Sequence, residues 1–301
     1  MAEQVELQVP ADLDGARVDK ALATLLGVSR AVASVVMESG VEVDGGAARA
    51  SDKVRSGQLI VCDRPEAAIG LTPESVDFTV LYEDDSVIVV DKPPGVVVHP
   101  GSGRTGGTLA AGLLYRYPEL AGVGTEGRWG LVHRLDKDTS GAILVARTGD
   151  AFTSLVDDLR RRRIERTYRA LVEGRMAAST GTIDAPIARD PSQPTRRAVI
   201  HGGKPARTHY RVIDYFEESD ASLLEVRLET GRTHQIRAHF AAIGHPVVGD
   251  RAYGATRKDL HVPRTFLHAS RLELTHPVTG DLLAVEAPLP SDLAAALDAL
   301  T

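Results

Sequence analysis

Residues 133–141 of this 301-residue chain read His-Arg-Leu-Asp-Lys-Asp-Thr-Ser-Gly and lead directly into an apolar stretch at 142–146, Ala-Ile-Leu-Val-Ala. The apolar stretch predicts a strand, so the polar residues before it form the loop that enters that strand. Within the loop, Asp136 lies near two cations, Arg134 and Lys137, which favour the ionised form of a carboxyl group. An ionised carboxylate suits a nucleophile or a general base. Asp136 is therefore the candidate reacting group.

A second polar segment, residues 229–240, reads Glu-Thr-Gly-Arg-Thr-His-Gln-Ile-Arg-Ala-His-Phe. Gly231 is expected to end a strand, and Thr233 is expected to cap a helix that carries Arg237. Arginines at such a junction suit phosphate contacts or a buried, bidentate pair with a carboxylate. Arg237 lies among apolar residues, which favours the buried pair, whereas Arg232 fits an exposed position about equally well.

The distribution of strands and helices along the chain predicts an α+β fold. Strand-like stretches follow one another in runs and do not alternate strictly with helices, which favours a mixed, mainly antiparallel sheet. Strands are expected at 78–82, 86–91, 142–146, 167–172, 209–214 and 224–229, and helices at about 107–117, 150–162, 233–243 and 291–300.

The first 65 residues are predicted to form a separate, small α/β unit. Apolar residues at helical spacing predict a helix at 18–26, and Ser29 is a candidate N-cap for a second helix. Two short strands follow. Residues 66–77 carry the proline and glycine typical of a linker, so the larger domain is expected at 78–301.

The composition excludes several classes of protein. Hydrophobic residues make up 43% and charged residues 25% of the chain, which excludes a wholly disordered or fibrous protein. The lone cysteine, Cys62, allows neither an intramolecular disulfide nor a multi-cysteine zinc site. The N-terminal residues lack the pattern of a signal peptide, and no apolar stretch reaches the roughly 18 residues of a spanning helix. A cytoplasmic protein without a membrane partner is therefore expected.

The net charge of −6 is distributed unevenly. Residues 160–169 carry six arginines against one glutamate. An acidic chain with one concentrated cationic segment suggests a local site for a polyanion, although a solvated helix end explains the segment about equally well.

Three motifs that could hold a cofactor or a metal are weak. The G-x-G-x-x-G pattern at 101–106 lacks the strand and the acidic residue of a dinucleotide site. The three histidines between 234 and 245 have neither helical pair spacing nor an acidic ligand among them, which favours hydrogen-bonded histidines over a zinc site. Asp136 and Asp138 could hold magnesium in a nuclease, but a metal would compete with the neighbouring cations. We therefore expect neither a cofactor nor a metal.

Five ordered motifs resemble the RNA pseudouridine synthases of the RluA/RluD type, which isomerise uridine in structured RNA. The resemblance covers essentially everything from Leu81 to Pro290. The motifs are Val87-Ile-Val-Val-Asp-Lys-Pro-Pro-Gly-Val-Val-Val-His-Pro, the segment 133–141, Ile164-Glu-Arg-Thr-Tyr-Arg-Ala-Leu-Val-Glu-Gly, Thr230-Gly-Arg-Thr-His-Gln-Ile-Arg and Gly244-His-Pro-Val-Val-Gly-Asp.

This resemblance implies specific roles for four residues. Asp136 would be the catalytic aspartate and Arg237 its basic partner. Tyr168 would stack on the target base, and Arg134 would hold the RNA open when that base leaves its stack. The implied fold is a mixed antiparallel sheet with the active site in a cleft across its middle.

The first 65 residues resemble an S4-like RNA-binding domain. An S4-like domain joined to a catalytic domain of this type implies the branch of the pseudouridine synthases that modifies ribosomal RNA. We therefore expect an RNA partner, most specifically large-subunit ribosomal RNA, free or in pre-ribosomal particles, and a monomeric enzyme. The expected RNA contacts are Arg30, Arg134, Arg161, Arg162, Arg166 and Arg232.

The chemistry of the resemblance agrees with the residues. Pseudouridine is an isomer of uridine, so its formation requires no redox cofactor, metal or cosubstrate. Asp136 could attack the ribose or take a proton from it, and the sequence leaves both routes open. Three other readings stay open as well: a noncatalytic RNA-binding assembly factor, a synthase that acts on transfer RNA, and a metal-dependent ribonuclease built on Asp136 and Asp138.

Overall fold

The chain divides into two compact units in a computed structural model that describes residues 4–26, 30–63, 71–99, 106–125, 127–255, 257 and 260–300. The smaller unit comprises Met1–Ser75, His99–Pro118 and Thr125–Trp129. The larger unit comprises Val76–Val98, Glu119–Gly124 and Gly130–Thr301. No helix in these described ranges is long and apolar enough to cross a membrane.

The smaller unit contains a four-stranded sheet with strand order β1-β4-β2-β3. Its apolar core includes Leu22, Val36, Ile60 and Cys62, each at most 2% exposed. The helix expected at 18–26 is present, whereas Ser29 and the side chain of Arg30 lie outside the described part of the chain. The elements are β1 (Gln4–Gln8), α1 (Val18–Leu25), α2 (Arg30–Glu38), β2 (Val41–Val43), β3 (Gly46–Ala47), β4 (Leu59–Asp63) and α3 (Leu109–Arg116).

The larger unit is built on a nine-stranded sheet with the order β5-β6-β7-β14-β8-β13-β12-β9 and with β15 paired to β14. These strands are β5 (Thr79–Glu83), β6 (Val87–Lys92), β7 (Ser140–Ala146), β8 (Glu165–Glu173), β9 (Thr180–Asp184), β12 (Arg207–Phe216), β13 (Ala221–Leu228), β14 (Leu267–Thr275) and β15 (Leu282–Glu286). A separate two-stranded sheet consists of β10 (Ile187–Arg189) and β11 (Arg197–Val199). The helices are α4 (Gly149–Arg160), α5 (Gln235–Ala242) and α6 (Ser291–Asp298).

All strand pairs in the nine-stranded sheet are antiparallel except β7 with β14. The predicted α+β class and the mixed, mainly antiparallel sheet are therefore confirmed. The sequence patterns did not predict β14, although Leu272 and Leu274 alternate with polar residues there and each is 1% exposed. This missed strand lies in the interior of the sheet, between β7 and β8.

The strand β7 is buried along its whole length, from Ser140 to Ala146. On one face of the strand, Ala142, Leu144 and Ala146 pack in a core cluster with Leu155 of α4 and Leu272 of β14. A strand covered on both faces reads as a continuous apolar stretch and not as an alternating one. Burial of β7 therefore anchors the end of the loop at 133–139 to the core of the larger unit, while Arg134, Lys137 and Asp138 of the loop stay exposed.

A close backbone approach fixes the point where this loop meets the sheet. Gly141 opposes Ala269 of β14 in the short parallel pairing. Gly141 has a φ of +114°, and a Cβ atom there would overlap the backbone of Ala269. Only glycine can adopt this backbone conformation at a position that has no room for a Cβ atom.

We expect the substitution Gly141→Ala to lower the free energy of unfolding by about 2–5 kcal/mol. Left-handed backbone costs an L-residue about 1–2 kcal/mol, and overpacking adds about 1–3 kcal/mol. Urea unfolding measures the change. Gly149→Ala is the matched control, because a Cβ atom there has open space. Equal stability of the two variants would contradict the close approach.

Candidate active site

The loop at 133–139 is bound by the buried amine of Lys92, which lies at the end of β6. Lys92 Nζ donates to three carbonyl oxygens, those of Lys137 (3.0 Å), Pro93 (2.7 Å) and Val96 (2.9 Å). Burial lowers the pKa of Lys92 to about 7, and nearby carboxylates of Asp138 and Asp136 oppose this shift. Lys92 thus ties the main chain of the loop, at Lys137, to the segment after β6, at Pro93 and Val96, whatever side chains the loop carries.

The loop is also tied to the last helix, α6. Arg264 donates from Nη1 to the carbonyl oxygen of Asp138 (2.9 Å) and from Nη2 to Ser140 Oγ (3.0 Å). The same guanidinium pairs with Asp292 of α6, with 2.7 Å between Nε and Oδ2. Ser140 Oγ in turn lies 3.0 Å from Nδ1 of the buried His268. By holding Arg264, Asp292 of α6 therefore helps to position the loop that carries Asp136.

His133 begins the loop and is held in its neutral form. The backbone N–H of Leu144 donates to His133 Nε2 at 2.9 Å. Burial lowers the pKa of His133 to about 3, and the positive charge of Arg166 acts in the same direction. His133 therefore works as a hydrogen-bond acceptor for β7 at neutral pH.

Arg237 of α5 connects two carboxylates. Its Nη1 donates to Asp136 Oδ2 at 3.1 Å. Its Nε and Nη2 donate to the two oxygens of Asp250, at 2.6 and 3.0 Å. The Asp250 side chain is only 1% exposed, so its carboxylate is removed from water and depends on Arg237 for its charge partner. Burial alone would lower the pKa of Arg237, but the carboxylates of Asp250 and Asp136 outweigh it and raise this pKa.

This geometry shows what the sequence patterns predicted and what they missed. The expected buried pair of Arg237 with a carboxylate is present, but its bidentate partner is Asp250, which the sequence did not single out. The signal was an acidic residue directly after the apolar segment 246–249. The expected cap at Thr233 is wrong, because α5 begins at Gln235 and its N-cap residue is His234, with φ 55° and no side-chain cap.

Tyr253 completes the surroundings of Arg237. The guanidinium carbon of Arg237 lies 4.9 Å from the centre of the Tyr253 ring. The hydroxyl oxygen of Tyr253 lies 3.0 Å from His234 Nδ1, and His234 Nε2 lies 3.9 Å from Asp136 Oδ1. Sequence reasoning weighed His234 only as a zinc ligand and did not consider Tyr253.

Tyr168 lies in the middle of β8 and is 5% exposed. Burial raises the pKa of Tyr168, the charge of Arg166 opposes this shift, and the charge of Asp136 adds to it. The phenol therefore stays neutral at neutral pH. Arg166 lies two residues before Tyr168 on the same face of the strand.

Arg166 is 6% exposed, unlike a typical surface contact to RNA. Its Nη2 donates to the carbonyl oxygen of Leu228 at 3.4 Å, and its Nε has no hydrogen-bond partner in the described part of the chain. A Cβ atom on Gly231 would lie 2.6 Å from Arg166 Nη1. Gly231 thus follows β13 by three residues and leaves the space that this guanidinium occupies.

Three further arginines expected to contact RNA, namely Arg161, Arg162 and Arg232, are exposed. Arg161 pairs with Asp157 of α4 at 2.8 Å, and Arg162 pairs with Glu229. Arg232 donates from Nε to the carbonyl oxygen of Pro205 at 3.1 Å. The neighbouring carboxylates offset part of the positive charge that the sequence segment 160–169 carries.

A cleft of about 230 Å³ opens above Asp136. This volume lies below the roughly 300–1,000 Å³ that is typical of pockets for drug-sized ligands. Arg134 lies at the cleft and is exposed, whereas Tyr168 is not part of the lining. The lining residues are Val97, Arg134, Leu135, Asp136, Lys137, Asp138, Thr139, His234, Arg237 and Thr265.

The histidines weighed as zinc ligands make hydrogen bonds to protein groups. His239 Nδ1 lies 2.9 Å from Thr208 Oγ1, and its Nε2 lies 3.0 Å from the carbonyl oxygen of Ala185. His245 Nδ1 lies 2.8 Å from the carbonyl oxygen of Glu173. Within the described ranges, no three His, Cys, Asp or Glu side chains lie close enough together to hold a metal ion.

Comparison with known proteins gives consistent matches. Residues 86–242 match the sequence profile of a family described as RNA pseudouridylate synthase. The chain is 46% identical to ribosomal large subunit pseudouridine synthase D of Nitrosomonas europaea, over 98% of this chain and 88% of that protein. It is 42% identical to the protein of the same name from Haemophilus ducreyi, over 100% of this chain and 96% of that protein. The structure of human RNA pseudouridylate synthase domain containing 1 superposes with a TM-score of 0.59 at 28% identity, covering 77% of this chain and 90% of that one.

We expect Asp250→Asn to destabilise the protein more than Asp136→Asn. Removing one partner of a buried ion pair costs about 3–5 kcal/mol, and Asp250 is fully buried with two hydrogen bonds to Arg237. Asp136 makes one such bond and its side chain is 18% exposed. Urea unfolding of both variants at neutral pH gives the comparison, and equal losses would show that Asp250 is not the main support of Arg237.

Proposed function

The chain belongs to the RNA pseudouridylate synthase family and is an RNA pseudouridine synthase, and on that premise we propose that its target uridines lie in large-subunit ribosomal RNA. The observation that supports this target is the 46% identity to a synthase named for the large ribosomal subunit, which extends over 98% of this chain. In the same proposal, Asp136 is the reacting carboxylate, and Arg237 and Tyr168 assist it.

The reaction breaks the bond between C1′ of the ribose and N1 of uracil, turns the base, and joins C5 to C1′. Asp136 either attacks the ribose or takes a proton from it, and both routes need an ionised carboxylate. Arg237 keeps Asp136 aimed into the cleft, because Asp250 holds the rest of the guanidinium in place. Asp250 cannot serve as the second carboxylate of a conventional glycosidase, since it is buried and bound by Arg237 at both oxygens.

The target base has to leave its stack before Asp136 can reach the ribose. Unstacking costs a few kcal/mol, and stacking on an aromatic ring returns about 1–3 kcal/mol. In this proposal Tyr168, which lies outside the lining of the cleft, provides that ring with a neutral phenol. Arg134, exposed at the cleft, holds the RNA open in place of the departed base.

The proposed enzyme also binds RNA outside the cleft. Residues 1–65 form an S4-like RNA-binding domain that contributes Arg30, and residues 78–301 form the catalytic domain after a linker at 66–77. The enzyme acts as a cytoplasmic monomer, on free ribosomal RNA or on pre-ribosomal particles. The further RNA contacts are made by the exposed Arg161, Arg162 and Arg232, whereas Arg166, which the sequence also suggested, is buried and makes none of them.

We expect Asp136→Asn to abolish the release of tritium from RNA labelled at C5 of uridine. A positioned acid or base contributes about 10²–10⁴-fold, so a loss of at least about 100-fold follows. The substrate is unmodified large-subunit ribosomal RNA, with EDTA present. Asp281→Asn, the same change at an exposed turn, serves as the control. Release that stops with EDTA would favour metal-dependent chemistry, and the absence of release by the unchanged protein on RNA and on particles would favour a noncatalytic binder.

We expect the double variant Arg161→Ala, Arg162→Ala to weaken RNA binding in a salt-dependent way. Each lost phosphate contact makes the plot of log affinity against log salt concentration shallower by about 0.7–0.9, so the slope of the double variant should be shallower by about 1.4–1.8. Binding titrations at several salt concentrations measure the slope. Arg271→Ala is the control, because Arg271 is also paired with carboxylates, Glu273 and Glu286, but on β14. An unchanged slope would remove the two arginines from the interface.

A further inference from the structure

His234 occupies a strained position for which its local structure gives no reason. It has φ 55° and ψ 23°, the left-handed region, where residues other than glycine are uncommon. Its side chain makes no cap bond to α5. Instead, the ring lines the cleft beside Asp136 and is 20% exposed. Strain of this kind is often found at sites of function, where the surrounding structure holds it in place.

The phenol of Tyr253 determines which nitrogen of His234 carries the proton. The Tyr253 hydroxyl accepts a hydrogen bond from the backbone N–H of Arg197 at 2.8 Å. Its own proton therefore points to His234 Nδ1, at 3.0 Å, which is its acceptor in the described part of the chain. An imidazole that accepts at Nδ1 is neutral and carries its hydrogen on Nε2. Burial also lowers the pKa of His234, which favours this neutral form.

Tyr253 is itself rigidly held. It is 4% exposed, its ring faces the guanidinium of Arg237, and it meets the His234 ring edge-on with 5.8 Å between centroids. One aromatic ring therefore supports both the partner of Asp136 and the histidine beside Asp136. Their relative positions are set before any substrate arrives.

The N–H at His234 Nε2 points into the cleft without an acceptor. Asp136 Oδ1 is 3.9 Å away, which is too far for a hydrogen bond. None of the described residues accepts from Nε2 within hydrogen-bond distance. An atom that accepts from Nε2 would lie next to the Asp136 carboxylate, and therefore close to the bond on which Asp136 acts.

We propose that His234 is a further catalytic residue, which donates a hydrogen bond from Nε2 to the O2 carbonyl of the target uracil, and that Tyr253 positions it. This inference rests on the proposed function of Asp136. O2 is the carbonyl next to N1, so it is the uracil oxygen closest to the bond that breaks.

The donor matters because charge develops on the base during the reaction. When the C1′–N1 bond breaks, its electron pair stays with uracil, and the negative charge is shared between N1 and the two carbonyl oxygens. After the base turns, electrons at C5 form the new bond to C1′, the proton on C5 leaves to solvent, and N1 takes up a proton. A neutral N–H donor stabilises the charge at O2 without transferring its proton, as donors in an oxyanion hole do.

Two substitutions of His234 separate this role from a structural one. His234→Asn tolerates the left-handed backbone but is too short to reach the place of Nε2, whereas the amide of His234→Gln can reach it. Removing one such donor costs about 10²–10³-fold in turnover. We expect the asparagine variant to lose about 100-fold in single-turnover rate with nearly unchanged RNA affinity, and the glutamine variant to recover at least about tenfold of that loss.

The acceptor atom is tested with RNA that carries 2-thiouridine or 4-thiouridine at the mapped target position. Sulfur accepts hydrogen bonds weakly, so 2-thiouridine should slow the unchanged enzyme more than 4-thiouridine does. The two substrates should react equally with His234→Asn. A 2-thio effect that persists in that variant would overturn the assignment of O2.

Tyr253→Phe tests the positioning role, because it keeps the ring over Arg237 and removes the phenolic proton. We expect a smaller loss of rate than in His234→Asn and a weaker 2-thio effect, and unchanged kinetics would overturn the role of Tyr253. Urea midpoints of all variants identify any that fail to fold. Full activity of a folded His234→Asn would refute this inference and leave the proposed function intact, whereas an unchanged protein that forms no pseudouridine would refute the proposed function itself.

Discussion

The buried guanidinium of Arg237 is the interaction on which the site depends. It donates two hydrogen bonds to Asp250 and one to Asp136, so one planar guanidinium sets the positions of both carboxylates. Asp250 is almost completely buried, and a buried carboxylate without its partner would be strongly unfavourable. The pair with Asp250 therefore holds Arg237 in one orientation, and an N–H at Arg237 Nη1 fixes the direction of Asp136.

The rest of the larger unit brings the loop of Asp136 to this guanidinium. The loop enters the sheet where β7 runs parallel to β14, and Gly141 allows the two backbones to approach there. Lys92 and Arg264 then bind carbonyl oxygens of the loop from β6 and from the segment before β14. Because these supports act on the main chain, the side chains that face the cleft stay available for chemistry.

The cleft places the carboxylate of Asp136 beside the neutral ring of His234, and Tyr168 lies outside the lining. Burial keeps the pKa of His234 low and that of Tyr168 high, so both rings stay uncharged near neutral pH. A neutral hydrogen-bond donor in such a site can stabilise negative charge that develops on a bound base. This distribution of charge suits the breaking and remaking of a glycosidic bond in a molecule that is neither oxidised nor reduced.

The sequence by itself determined the α+β class, the apolar strand after Asp136, the position of the Asp136 carboxylate among cations, and the need of Arg237 for a buried partner. These features depend on local periodicity and on charges close together in the chain. Only the tertiary structure decided that the bidentate partner is Asp250, that α5 starts from a left-handed His234 in place of a cap at Thr233, and that Tyr253 joins His234 to Arg237. Those contacts join side chains from separate elements, and their geometry depends on how α5, the turn at 251–253 and β7 pack together, which no local pattern encodes.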